Sequence, residues 1–196
     1  SQVGSSIYGQ SEGDSCGTAV CLSSDGTILA VGGRYSNAVR VYQRDISNTT
    51  IVPNGWTQLG LDISGVDNTD FGHAIYLSSD GSYLAVGARY SDVSFNNSGS
   101  VNVYKYNGSV WNKIGDTING KSEGDGIGYH LSLSSDGTIL AIGGSAAYNS
   151  VSVYKYDNSS WNQIGVDING EIAGDSFGYS VSLSPNGNRL AVGATY

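Results

Sequence analysis

Apolar positions along the chain come in short bursts rather than long stripes. The run Ile28-Leu29-Ala30-Val31 does not alternate with polar residues, which marks a strand covered on both faces. Segments of the form V-x-V-Y do alternate. Val101 and Val103 share one face while Asn102 and Tyr104 take the other, the pattern expected of a more exposed outer strand. Asp25-Gly26, Asp80-Gly81, Asp136-Gly137 and Asn186-Gly187 separate the bursts. Such dipeptides tolerate positive φ at both central positions of a two-residue hairpin turn, so each is expected to join two antiparallel strands.

The arrangement recurs. LSSDGTILAVG at 22–32 returns as LSSDGSYLAVG at 77–87, LSSDGTILAIG at 133–143 and LSPNGNRLAVG at 183–193. Ahead of the copies stand Cys16-Gly17, Phe71-Gly72, Ile127-Gly128 and Phe177-Gly178. Before those come EGD at 12–14, DNTD at 67–70, EGD at 123–125 and AGD at 173–175. Trp56, Trp111 and Trp161 open three of the units. Each unit reads as four short strands: the tryptophan segment, the F-G segment, L-A-V-G, and V-x-V-Y-x-Y. Four antiparallel strands recurring at this period predict an all-β chain, a β-propeller built of four-stranded antiparallel blades. About four blades are visible, in units at roughly 1–54, 55–109, 110–159 and 160–196. A single blade cannot cover both of its faces, so neighbours must stack on it. Gly17, Gly72, Gly128 and Gly178 are then expected to permit close backbone approach near the axis. Trp56, Trp111 and Trp161 are expected to pack between blades.

Composition narrows the choice further. The 29 glycines weaken helix interiors and argue against a helical bundle. The 2 prolines and the lack of a three-residue glycine period exclude collagen. With 14 tyrosines and 39% hydrophobic residues, disorder is excluded as well. The formal net charge of −8 repels phosphate backbones, so no nucleic-acid partner is expected. No apolar run approaches the ~20 residues of a membrane span, so no membrane insertion is expected. Cys16 and Cys21 lie too far apart along an extended segment to bridge one another, and read as small core residues.

Chemistry-bearing residues are sparse. The two histidines, His73 and His130, occupy neighbouring rather than equivalent repeat positions and read as in-place strand substitutions. With the cysteines they lack zinc-ligand spacing. Acidic residues recur in every unit, as Glu12 and Asp14, Asp67 and Asp70, Glu123 and Asp125, Glu171 and Asp175. That repetition points to turn formation rather than one active site. Features that break the repeat are better candidates, because a scaffold displays function on variable loops. One insertion lies between Tyr42 and Trp56. The other, within 88–100, makes Phe95, Asn96 and Asn97 a candidate contact loop. Asn48, Asn96, Asn107 and Asn158 head N-x-S/T sequons and are candidate glycosylation sites in loops.

Units of the form G-D-x-F-G, then L-A-V-G-A, V-x-V-Y and W-x-x-I-G, resemble FG-GAP repeats, the blades of the integrin alpha-subunit propeller. The fourth unit carries this best, with Gly174, Asp175, Phe177, Gly178 and Leu190 to Ala194. Cys16 and Ile127 depart from the motif's phenylalanine. The hairpins lack the D-x-D-x-D-G calcium loop of many family members, so that site is not carried over. No cofactor is expected, calcium being the one the resemblance would admit. The resemblance implies a larger ring completed by further blades of the same chain; the alternative is a closed four-bladed ring completed by another chain, such as an identical subunit, or by an imperfect blade. The resemblance also implies a non-enzymatic, extracellular or cell-surface protein serving adhesion or matrix or filament assembly, with protein or glycan partners. The alternative is a lectin or carbohydrate-active enzyme with its site at the central channel. That alternative requires a cluster of unlike acidic or aromatic residues there.

Overall fold

In the computed structural model, residues 6–44, 55–66, 69–145, 148–172 and 174–195 are described, and among them there are only strands, turns and loops. The first sheet runs β1 (Cys16–Leu22), β2 (Ile28–Gly33), β3 (Ala38–Arg44), β4 (Trp56–Gln58), with β5 (Ile63–Ser64) also on β3. The second runs β6 (Phe71–Leu77), β7 (Tyr83–Ala88), β8 (Ser100–Tyr106), β9 (Trp111–Asn119). The third runs β10 (His130–Leu133), β11 (Ile139–Gly143), β12 (Ser150–Tyr156), β13 (Trp161–Gln163), with β14 (Ile168–Asn169) on β12. A hairpin of β15 (Ser180–Leu183) and β16 (Leu190–Gly193) begins a fourth. All pairings between these strands are antiparallel. These are the blades of a β-propeller.

The sheets are not cut where the repeat was cut. Each tryptophan strand pairs behind the preceding V-x-V-Y strand, with Tyr106 opposite Trp111 and Tyr156 opposite Trp161. The F-G strand is therefore innermost, and the tryptophan strand forms the outer edge. This corrects the expectation of an exposed V-x-V-Y strand, because Val101 and Val103 are buried. Alternation there reports two different coverings, not water on one side: the Asn102 Oδ1 accepts a hydrogen bond from Thr117 on β9.

Hydrophobic layers lie between blades. Ala30, Val39 and Val41 of the first blade meet Phe71, Ile75, Leu84 and Val86 of the second. Ala85, Val101 and Val103 meet Leu131, Leu133 and Leu140 of the third. Neighbouring residues of the YLAV run thus serve opposite layers, which explains why the run is continuously apolar. Trp111 Nε1 donates to the Leu59 carbonyl at 2.9 Å and Trp161 Nε1 to the Ile114 carbonyl at 3.3 Å, so both indoles bridge adjacent blades as expected. Trp56 heads β4.

The glycines make a specific inter-blade contact. A Cβ on Gly32, Gly87 or Gly143 would stand 2.3, 2.1 or 2.1 Å from the carbonyl oxygen of Gly72, Gly128 or Gly178. The F-G glycines also hold φ near +90°, which only glycine adopts without strain. Gly17 shares that conformation, but nothing lies within 4 Å of where its Cβ would stand, so the expected close approach is not made at Gly17. The Asp-Gly turns differ from expectation. Ser23 N donates to Ile28 O and Gly26 N to Ser23 O, so the dipeptide lies inside a four-residue loop with only its glycine at positive φ. The Ser23 and Asp25 side chains together close the longer loop. Asp25 Oδ1 accepts from the Ser23 hydroxyl at 2.7 Å and from Thr27 N at 3.0 Å, and Ser23 Oγ in turn accepts from Ile28 N.

At the hairpin end, Ser24 N donates to Ser79 O, Ser79 N to Ser135 O and Ser135 N to Pro185 O. This ladder links all four blades. Both cysteines are free and partly buried. Cys21 Sγ accepts from Leu77 N at 3.3 Å, a blade-to-blade bond that Ser132 Oγ repeats with Leu183 N.

Candidate functional site

The inner strands β1, β6, β10 and β15 stand side by side, each packed against the next, on the side of the blades that faces a propeller's axis. The residues that begin them are not alike. After the F-G glycine come Thr18, His73, Tyr129 and Tyr179, and one position later Ala19, Ala74, His130 and Ser180. A register irregularity in β6 between Phe71 and Ile75 sets His73 off the regular ladder, and β1 has its counterpart between Cys16 and Ala19.

These side chains meet. His73 lies 4.8 Å from Tyr129, edge to face. Tyr129 lies 4.9 Å from His130 and 5.9 Å from Tyr179, and His130 lies 5.0 Å from Tyr179. The ends of the second strands contribute cations: Arg34 and Arg89 occupy equivalent positions, where the third and fourth units carry Ser145 and Thr195. The Arg89 guanidinium stacks 4.4 Å from the Tyr90 ring and 5.1 Å from Tyr129. Arg34 stacks 5.3 Å from Tyr35.

Asp70 joins the two arginines. Its carboxylate accepts from Arg89 Nε at 2.8 Å and Arg34 Nε at 3.1 Å, and both Asp70 and Arg89 are buried. In the other units the acid stands one position earlier and serves its own turn. Asp14 Oδ1 accepts from Cys16 N, Asp175 Oδ1 from Phe177 N, and Asp125 Oδ2 from Lys121 N and Ser122 N. The second unit has Thr69 there, and the acid has slipped to position 70. The backbone at that position is left-handed in every unit, at Ser15, Asp70, Gly126 and Ser176, and aspartate is among the residues that accept it. Asp14, Asp125 and Asp175 are the turn formers expected, Asp70 is the exception, and Asp67 lies outside the described residues.

Burial, reinforced by the nearby Arg89 charge and opposed by Asp70, lowers the His73 pKa to about 4. Burial also lowers that of His130. Both rings are neutral at pH 7. His73 Nδ1 and His130 Nε2 are buried without a hydrogen-bond partner among the described residues. The histidines are therefore part of a cluster rather than mere strand substitutions. Among the described residues no group of three or more His, Cys, Asp or Glu side chains is placed to hold a metal ion. At the opposite end of the inner strands lies a hollow of about 320 Å³, lined by Cys21, Leu22, Tyr76, Leu77, Leu133 and Leu183 among others.

The other candidates lie elsewhere. Phe95 is half exposed, but the chain around it is pinned to the third blade, since Gly124 N donates to Asn96 O and Gly126 N to Asn97 O. Asn96, Asn107 and Asn158 are exposed, the last two in turns joining the third and outer strands of one sheet rather than between blades. Asn107 Oδ1 accepts from Ser109 N and Val110 N. Asn48 lies outside the described residues.

No protein-family model matches the chain, and no curated protein does. Among solved structures, a Bacteroides fragilis protein described as a "putative 6-phosphogluconolactonase" is similar over 89% of this chain and 46% of its own, at 16% identity and a TM-score of 0.62. The chain thus spans about half the length of that neighbour. The likeness shows the propeller fold. It also corrects the expectation of a protein that is not an enzyme, since a chain of this same fold bears an enzyme's name.

Proposed function

We propose that this protein is a carbohydrate-active enzyme whose ligand sits at the mouth of the central channel. The observation that carries the reading is the cluster of Arg34, Asp70, His73, Arg89, Tyr129, His130 and Tyr179, drawn from all four blades, no two of which contribute the same set. Flat aromatic rings offer contact area at low entropic cost, and Tyr129 and Tyr179 border the mouth with Tyr90. Neutral imidazoles can accept a proton from water. Guanidinium groups can stabilise an oxygen that gains negative charge. Together these roles suit hydrolysis of a sugar ester or lactone. The name of the fold neighbour refers to a sugar derivative as well, although that likeness speaks for the fold and the assignment rests on the residues.

Calorimetric titration with a panel of monosaccharides and sugar lactones, paired with pH-stat measurement of acid release, tests this. Binding and turnover by the natural chain, both lost in Tyr129→Ala, are expected. A panel with no heat and no acid release, or a Tyr129→Ala variant that behaves like the natural chain, refutes it.

A further inference from the structure

We infer that the channel mouth selects sugars bearing an anionic group, a carboxylate or a phosphate, and seats that group against Arg34 and Arg89; this rests on the carbohydrate reading above. The chain as a whole is acidic, with a formal charge of −8, yet here two guanidinium groups share the single carboxylate of Asp70. Pairing them leaves one positive charge over. The donor count agrees. Two guanidinium groups present about ten N–H donors, and one carboxylate offers about four lone-pair sites. Water or a ligand must take the surplus, and a ligand carboxylate or phosphate matches the guanidinium fork in shape.

The arginines are also held ready. Arg89 is fixed between the Asp70 carboxylate and the faces of Tyr90 and Tyr129. Arg34 is fixed by Asp70 and Tyr35, with its side chain about a third exposed at 34%. An anion arriving from solvent therefore meets Arg34 first and finds an oriented fork, with little side-chain entropy left to lose. Architecture does not require these groups, since the third and fourth units complete the same turn with Ser145 and Thr195. Tyr129 touches both Arg89 and the histidine pair, so a sugar ring on the aromatic wall places its charged substituent within reach of the arginines.

The test is calorimetry at low salt with glucose, glucuronate, glucose 6-phosphate and inorganic phosphate, on the natural chain and on Arg34→Gln and Arg89→Gln. The expected result is at least about tenfold tighter binding of one anionic sugar than of glucose, the size of a charged hydrogen bond. That advantage is expected to vanish in Arg34→Gln and to shrink as salt rises. Glucuronate against glucose 6-phosphate tells a carboxylate ligand from a phosphate one. Equal binding of glucose and both anionic sugars overturns the charge selection and leaves the carbohydrate reading standing. Inorganic phosphate binding as tightly as glucose 6-phosphate overturns the sugar component while keeping an anion site. Silence from all four ligands removes both. Arg89→Gln strips a buried partner from Asp70 and can unfold the chain. Arg34→Gln leaves Asp70 its Arg89 bond, and if its melting curve matches the natural chain, retention of the anionic advantage overturns the proposal.

Discussion

Gly87 faces Gly128 across the boundary between two blades, so close that a Cβ on Gly87 would stand 2.1 Å from the Gly128 carbonyl oxygen. Neither backbone can yield without parting the layer of Val101, Leu131 and Leu140 beside it. Gly87→Ala is therefore expected to destabilise the fold by about 3 kcal/mol or more. Gly108 is the control. It holds φ at +96° with open space around its missing Cβ, so Gly108→Ala is expected to cost only about 1 kcal/mol. Urea denaturation of the two variants measures the difference.

Asp70 is expected to matter for cohesion as well as for the site. Removing it in Asp70→Ala leaves the buried Arg89 without its partner, and breaking a buried ion pair from one side costs about 3–5 kcal/mol. The partly exposed Arg34 can turn to water and softens the loss, so the lower end is expected. A guanidinium-chloride midpoint that does not move would contradict the buried pairing.

The hairpin acids provide a milder case with an internal reference. In the fourth unit Asn186 Oδ1 accepts from the Ser184 hydroxyl at 3.0 Å and from Asn188 N at 3.3 Å, the work that Asp136 does for Ser134 and Thr138. An amide oxygen is enough. Asp136→Asn is expected to cost less than about 1 kcal/mol, and Asp136→Ala about 1–2 kcal/mol for the lost hydrogen bonds. Thermal unfolding of both variants at pH 7 separates them.

Acid is expected to weaken the fold in two windows. His73 in the folded chain has its pKa lowered to about 4, mainly by burial, while an unfolded histidine titrates near 6.5. Between those values the unfolded chain binds the extra proton, so stability falls as pH drops from about 6.5 to about 4. Allowing for the ring's partial exposure, the loss is on the order of 1–2 kcal/mol. The Asp136 carboxyl is held below the usual carboxylate range, first by the Ser134 hydroxyl, against opposing burial, and then by Thr138. Its contribution is lost only at lower pH, as the carboxyl protonates. Unfolding free energies of the natural chain and of His73→Gln across pH 4–7 check the first window, which is expected to shrink in the variant to the part that the buried His130 contributes.

The blades were legible in the sequence because every packing requirement is stated several times. The ILAV runs, the F-G glycines and the tryptophans each recur at the spacing of a blade, and Gly72, Gly128, Gly178, Trp111 and Trp161 meet a neighbouring blade. Where a blade begins was not legible. A repeat is cyclic, and only hydrogen bonding decides that Trp111 closes the sheet behind Tyr106 rather than opening the next. The Asp-Gly dipeptide by itself suits a two-residue turn, whereas the serine two positions before the aspartate joins it in closing a longer loop. The channel mouth escaped notice for the opposite reason: its members are each stated once or twice. GGRY and GARY share an arginine that GGSA and GATY lack, and DNTD carries its second acid one place late. Those were the visible signals, hidden among carboxylates that do serve turns.

The shared carboxylate has a mechanical meaning too. Arg34 belongs to one blade, while Asp70 and Arg89 belong to the next, and Tyr129 leans on Arg89 from a third. A molecule lodged among them would act as a keystone, so that occupancy of the mouth and resistance of the wedges to prying apart rise and fall together.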